Sequence, residues 1–245
     1  MNEMKQLMTE LTDRLRKTNE YNQYINVLSR LERATDYIRS LELPGSALCE
    51  EIQKDALAGD VPIIRPETAS FLLFLISLKK PLSILEVGTA VGYSAIRMSE
   101  VMPAGATITT IEKYPPRIEE AKRNFARAPR GCDITLLEGD AADILKTLDK
   151  PYDLIFMDAA KGQYIHFLPD VLRLLAPDGL LFSDNVLQDG DVLESRFAVT
   201  RRNRTIHSRM REYLTMLTHT PELTTSVIPI GDGVSLTMKK NTEEM

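Results

Sequence analysis

Tryptophan is absent from the 245 residues, and cysteine occurs only twice, as Cys49 and Cys132. Two cysteines without a C-x-x-C spacing exclude a disulfide scaffold and a cysteine-based zinc site; they point to a reducing compartment and two idle thiols. Long apolar runs are missing too. The longest, Phe71 to Leu78 (FLLFLISL), is far shorter than the roughly 20 residues a membrane-crossing helix needs, so no membrane partner is expected. The opening MNEMKQLMTELTDRLRK mixes both charge signs and has no apolar stretch of signal-peptide type, so the expected location is the cytoplasm. Nor is there an excess of positive charge. Thirty Lys and Arg stand against 35 Asp and Glu, a net charge of −5, which argues against indiscriminate coating of nucleic acid. Internal repeats, low-complexity tracts and Gly/Ser linkers are lacking as well. What remains is ordinary soluble globular composition, 43% hydrophobic and 27% charged, in a chain long enough for one substantial core.

The patterning divides into an N-terminal helical cap (1–62) and a core (63–245) within a single domain. Glu20 to Leu43 carries Tyr24, Val27, Leu28, Leu31, Ala34, Ile38 and Leu41 at helical spacing. Pro44-Gly45 stops that helix, Ser46 caps a second running to about Ala58, and Pro66-Glu67 opens a third through Leu78. From Ser83 onward short apolar runs alternate with helical stretches: SILEVG, TITTIEK, ITLLEGD, YDLIFMD and GLLFSDN are each followed by a helix, the last near Arg201 to His219. Such alternation predicts an α/β, doubly wound, Rossmann-like sheet with helices on both faces. LTTSVIPI and GVSLTMKK flank Gly231-Asp232, a hairpin signal, which makes a seven-stranded sheet, mostly parallel with one antiparallel strand.

Ligands collect at the carboxyl ends of strands in such sheets, and here each parallel strand ends in polar residues: Glu86-Val87-Gly88, Glu112, Glu138-Gly139-Asp140, Asp158 and Ser183-Asp184-Asn185. The glycine turn after Glu86 lets backbone approach a ligand but lacks the middle glycine of a dinucleotide phosphate cradle. Glu112 stands where an acid holds ribose hydroxyls. Adenosine without a phosphate cradle points to S-adenosylmethionine rather than NAD. Asp158, Asp184 and Asn185, three oxygen donors at the ends of consecutive strands, suit a hard cation such as Mg²⁺. Lys161 stands beside them, placed to take a proton from a substrate hydroxyl. Taken singly, each of these residues also has an ordinary explanation as a turn cap or a surface charge.

Together EVGTAVGYSAIRMS, IEKYPPR, GDA, FMDAAKGQY, SDNVL and a closing IPIGDG resemble the metal-dependent class I O-methyltransferases of the catechol and caffeoyl-CoA type, over roughly Pro62 to Lys240. GTAVGYSAIRM, DAAKGQY and DNVL look in particular like the bacterial members that methylate 5-hydroxyuridine at the tRNA wobble position. The resemblance implies Asp158, Asp184 and Asn185 as metal ligands and Lys161 as base, with Asp158 also counted catalytic. It implies a cofactor site of Glu86, Gly88, Ser94, Glu112, Asp140, Ala141 and Asp158. It further implies a homodimer, with the cap helices supplying the interface.

The segment SRFAVTRRNRTIHSRMREY (195–213) separates RNA from small-molecule acceptors. Its six arginines form a local basic patch on an acidic chain, and Arg201, Arg202 and Arg204 are expected to contact a tRNA anticodon loop, with Tyr164 and Tyr213 available to stack on bases. A solvated helix face or a dimer contact is the ordinary alternative. Lys122, Arg123, Arg127 and Arg130 read as helix surface, and the three histidines show no ligand spacing. A small catechol-like or caffeoyl-type acceptor is the alternative substrate.

Overall fold

The structure, a computed structural model, describes residues 33–42 and 44–240. The chain divides into two compact units, Met1–Leu43 and Pro44–Met245. In the first, residues 33–41 are helical and Glu42 is a bend; residues 20–32 and 43 of the helix expected over Glu20 to Leu43 lie outside the described residues. The cap-core boundary expected at 62/63 falls inside the second unit, to which everything below refers.

That unit opens with helix α1 (Ala47–Ala58), started by Ser46, whose side chain accepts the Cys49 backbone N–H. Helix α2 (Pro66–Lys79) begins at proline and ends where Lys80 turns left-handed (φ 53°) before Pro81. Then follow β1 (Ser83–Val87), α3 (Tyr93–Val101), β2 (Thr107–Glu112), α4 (Pro115–Arg127), β3 (Ile134–Glu138), α5 (Ala141–Thr147), β4 (Tyr152–Met157), α6 (Tyr164–Leu174), β5 (Leu175–Ser183), α7 (Arg204–His219), β6 (Leu223–Ile228) and β7 (Val234–Lys239). Residues 201–203, expected within the last helix, form a turn instead.

The seven strands lie in the order β3-β2-β1-β4-β5-β7-β6. Strands β1 to β5 pair in parallel, and β7 runs antiparallel to both neighbours. Successive residues of a strand point to opposite faces, and both faces are covered. Ile84, Leu154, Phe156 and Phe182 join the core beneath α1 to α4; Leu85, Ile155, Met157 and Leu181 join the one beneath α5 to α7. Burial on both sides explains why these strands read as unbroken apolar runs rather than alternating ones. Strand order reverses between β1 and β4, and the crevice that such a switch point leaves opens at their carboxyl ends. Among the described residues no helix is long and apolar enough to cross a membrane.

Candidate active site

A cavity of about 600 Å³ lies at that switch point. Its floor depends on two glycines. Gly88 sits at φ 111°, and a Cβ there would lie 2.1 Å from the Asp158 carbonyl oxygen; Gly92, at φ 84°, would drive one into the Phe125 ring. The turn is stitched to β2, with the N–H groups of Gly88 and Thr89 donating to Ile111 O at 3.1 Å. Ala90, left-handed at φ 47°, aims its N–H at Glu112 Oε2, 2.9 Å away. Glu112 Oε1 accepts the N–H groups of Lys113 and Tyr114, both at 2.9 Å. The Glu112 carboxylate is thus held rigid on the cavity wall, with lone pairs left for a hydroxylated ligand.

Asp140 caps α5 by accepting the Ala142 N–H at 2.9 Å, and Lys113 reaches its other oxygen at 3.2 Å. That backbone bond, with the lysine second, holds its carboxyl below the usual range. Gly88, Ser94, Glu112, Asp140 and Ala141 all line the cavity, and Glu86 does not. Glu86 is fully buried beneath the turn, bonded by the hydroxyls of Ser94 and Thr110. Burial pushes its pKa up to about 7 despite those two bonds.

The other wall is made by the ends of β4 and β5. Met157 pairs with Ser183, and the next step of the ladder is the Asp184 N–H to Met157 O, 3.0 Å, so Asp158 and Asp184 leave the sheet side by side. Burial, then the Glu86 charge, raises Asp158 to about 6. Burial, then the Asp158 charge, raises Asp184 to about 7. Asn185 completes the rim at a left-handed φ of 56°. Among the described residues no three His, Cys, Asp or Glu side chains are grouped to hold a metal ion. The expected set differs in kind, being two acids and an amide. Its chemistry fits a divalent cation: Asp184 is buried with Asp158 half-buried beside it, and the Asp158 charge raises the proton affinity of Asp184.

Lys161, in the 3-10 turn Lys161–Gln163, also borders the cavity, and its Nζ lies 2.9 Å from Asp232 Oδ2. Asp232 is almost wholly buried, in the turn between β6 and β7. The same turn supports the loop after β5: Val186 and Leu187 donate to the carbonyls of Gly233 and Asp232 at 3.0 and 2.9 Å. Sequence reasoning read Gly231-Asp232 as a hairpin signal and missed this second role, because an aspartate in a tight turn already has a sufficient local explanation.

Two expectations change. Tyr164 and Tyr213 cannot stack on a base: both are fully buried, in mutual edge contact with centroids 5.5 Å apart. The Tyr164 hydroxyl reaches Met157 O and Asp184 O, each at 3.1 Å, and Tyr213 bonds Ser183 at 2.6 Å. The exposed aromatic of this region is Phe197, 86% accessible. Arg204 directs its guanidinium to the carbonyls of Val199 and Phe197, at 3.2 and 3.4 Å, whereas Arg201 and Arg202 are exposed. Of the second basic group, Lys122, Arg127 and Arg130 are tied to neighbouring acids and carbonyls, as a helix surface would be.

Residues 46–240 match the family described as O-methyltransferase. The chain belongs to the O-methyltransferase family. The methyltransferase is 36% identical over 135 residues to a catechol O-methyltransferase of Niastella koreensis, a match covering 54% of this chain and 61% of that protein. It is 31% identical over 188 residues to the O-methyltransferase ankF of Aspergillus thermomutatus, covering 70% and 76%. Its fold matches the crystal structure of an SAH-bound methyltransferase of Podospora anserina with a TM-score of 0.78 at 25% identity, over 87% of this chain and 96% of that one.

Proposed function

We propose that this methyltransferase methylates the 5-hydroxyl of 5-hydroxyuridine at the tRNA wobble position, giving 5-methoxyuridine, with S-adenosylmethionine as donor and Mg²⁺ or another divalent cation as cofactor. S-adenosylmethionine supplies an electrophilic methyl group, and the likeness to an SAH-bound relative supports its place in the cavity beside Glu112 and Asp140. A divalent cation at Asp158, Asp184 and Asn185 would supply positive charge that favours the deprotonated form of a neighbouring acceptor hydroxyl. Lys161, bordering the cavity with Nζ 2.9 Å from Asp232 Oδ2, is the group placed to take that proton. The rigid strand ends hold these groups in register, which contributes to rate through orientation.

One observation carries the choice of acceptor. The basic segment borders the reacting end of the site: Asn203 and Ile206 share a cavity with Lys161, Arg196, Arg201, Arg202 and Arg211 are exposed, and Phe197 stands out among them. Cations for phosphates beside an exposed ring for an unpaired base suit an RNA loop. The likeness to a catechol O-methyltransferase favours the second reading, a small catechol-like or caffeoyl-type acceptor. Nucleoside mass spectrometry decides between them. Expressed in cells whose tRNA carries 5-hydroxyuridine and no 5-methoxyuridine, the chain should convert one to the other; unchanged tRNA would remove the RNA reading.

A further inference from the structure

A fastened loop stands at the acceptor end of the site. Its base is a hydrogen bond from the Asn203 amide to Asp191 Oδ2, at 3.0 Å. Both residues line a cavity of about 290 Å³ together with Lys161. Residues 192–202 therefore leave the fold and return to it at the rim beside that lysine, as a compact surface loop with joined ends. The loop is held from within. Val192 and Val199 are buried in it. The buried His207 meets Glu194 O through Nε2 at 3.1 Å. The Arg204 guanidinium donates to Val199 O and Phe197 O, and the Ala198 N–H donates to Ser195 Oγ at 3.3 Å.

Such a loop would tuck its large apolar side chains inward if folding were its only task. This one turns two of them out: Leu193 is 71% exposed and Phe197 86%. A single exposed apolar residue is ordinary. The company of these two is not. Arg196, Arg201 and Arg202 are exposed on the same loop, and Glu194 is its one acid, on a chain whose net charge is −5. The partner that fits this surface is anionic and offers a flat apolar face. Unpaired nucleotides have both properties.

We propose that Phe197 takes the place of the target base in the anticodon-loop stack, its ring covering the neighbouring base that the wobble nucleotide leaves bare. The proposal rests on the hydroxyuridine reading above and adds to it how the RNA releases the base. An enzyme that does chemistry on a base takes it out of the stack, and the unstacking costs free energy. An aromatic side chain recovers part of that cost with any neighbour, because every base has a π-face. The joined ends of the protein loop set the ring close to where a nucleotide bound at Lys161 meets the rest of its strand. The exposed arginines on either side are placed for the flanking phosphates, which fix register and not sequence. A catechol has no stack to leave, so for that acceptor the ring would have no task.

The test is a cycle of rates. Wild type, Phe197→Ala and Phe197→Tyr are each offered an anticodon stem-loop RNA carrying 5-hydroxyuridine, and the same RNA with an abasic residue at one or the other neighbour of that nucleotide. On the intact RNA, Phe197→Ala should lose about tenfold or more in kcat/KM, the scale of one base–aromatic stack. Wild type should lose as much on one of the two abasic RNAs, and Phe197→Ala should lose nothing further there. Phe197→Tyr should behave as wild type. Because Phe197 is exposed, its removal leaves the core untouched. Wild type indifferent to both abasic RNAs, losses that multiply on both, or full activity of Phe197→Ala on the intact RNA would each overturn the proposal and leave the hydroxyuridine reading standing. In the last case, binding of wild type but not Phe197→Ala to phosphatidylglycerol vesicles would give the loop to a lipid surface instead. A wild type that methylates catechols and not the intact RNA would overturn both.

Discussion

In the proposed mechanism Lys161, Asp158 and Asp184 would carry the chemistry, and the proposal has separable signatures. Replacing Lys161 with Met would remove the proposed proton acceptor, so kcat should fall by about 10²-fold or more with S-adenosylmethionine affinity unchanged; an equal loss of cofactor binding would assign Lys161 to the cofactor instead. Buried carboxylates make a second prediction. The carboxyls of Glu86, Asp158 and Asp184 lie at about 7, 6 and 7 in the fold, above the roughly 4 of an unfolded chain. The folded state binds more protons than the unfolded one, so metal-free stability should fall as pH rises from about 4 to 7. A magnesium ion held at Asp158 and Asp184, as proposed, would offset that charge only when the carboxylates are ionised. The rise in Tm on adding Mg²⁺ should therefore be larger at pH 8 than at pH 5, and an equal rise at both would separate the metal from Asp158 and Asp184.

Among elements, the ends of β4 and β5 and the turn between β6 and β7 form one unit. Tyr164 spans the two strand ends from α6 through Met157 O and Asp184 O. Tyr164→Phe should cost about 1–2 kcal/mol of stability, because two buried carbonyls are left without that donor, read as a lower denaturant midpoint at unchanged slope. No change in the midpoint would mean the hydroxyl is idle. The strands themselves were legible in the sequence, because apolar runs ending in Glu86, Glu112, Asp158 and Asp184 are local patterns. Neighbouring placement of Asp158 and Asp184 was expected because their strands are consecutive in the chain, and β4 does pair with β5. The Asp232 bond to Lys161 joins residues 71 apart in the chain, and no local pattern announces such a pairing. Tyr164 and Tyr213 misled for a related reason: an aromatic on an amphipathic helix reads alike whether it packs inward or faces a ligand, and the partner across the core decides.

For the whole molecule, an acidic chain presents exposed arginines beside the acceptor end of its site. Arg201→Ala with Arg202→Ala should weaken tRNA binding and reduce the magnitude of the slope of log affinity against log salt by about 1–2, roughly one unit for each phosphate that no longer meets a cation, with cofactor binding intact. An unchanged slope would give those arginines another task. Arg204→Ala should instead loosen the 197–204 loop, since its guanidinium is occupied by carbonyls there. The most direct measurement of the central claim is transfer of labelled methyl from S-adenosylmethionine to 5-hydroxyuridine tRNA by the purified enzyme, with a chelator and then with Mg²⁺ restored. The account predicts incorporation that stops with the chelator and returns with the metal. Incorporation indifferent to the chelator, or confined to catechols offered in its place, would contradict it.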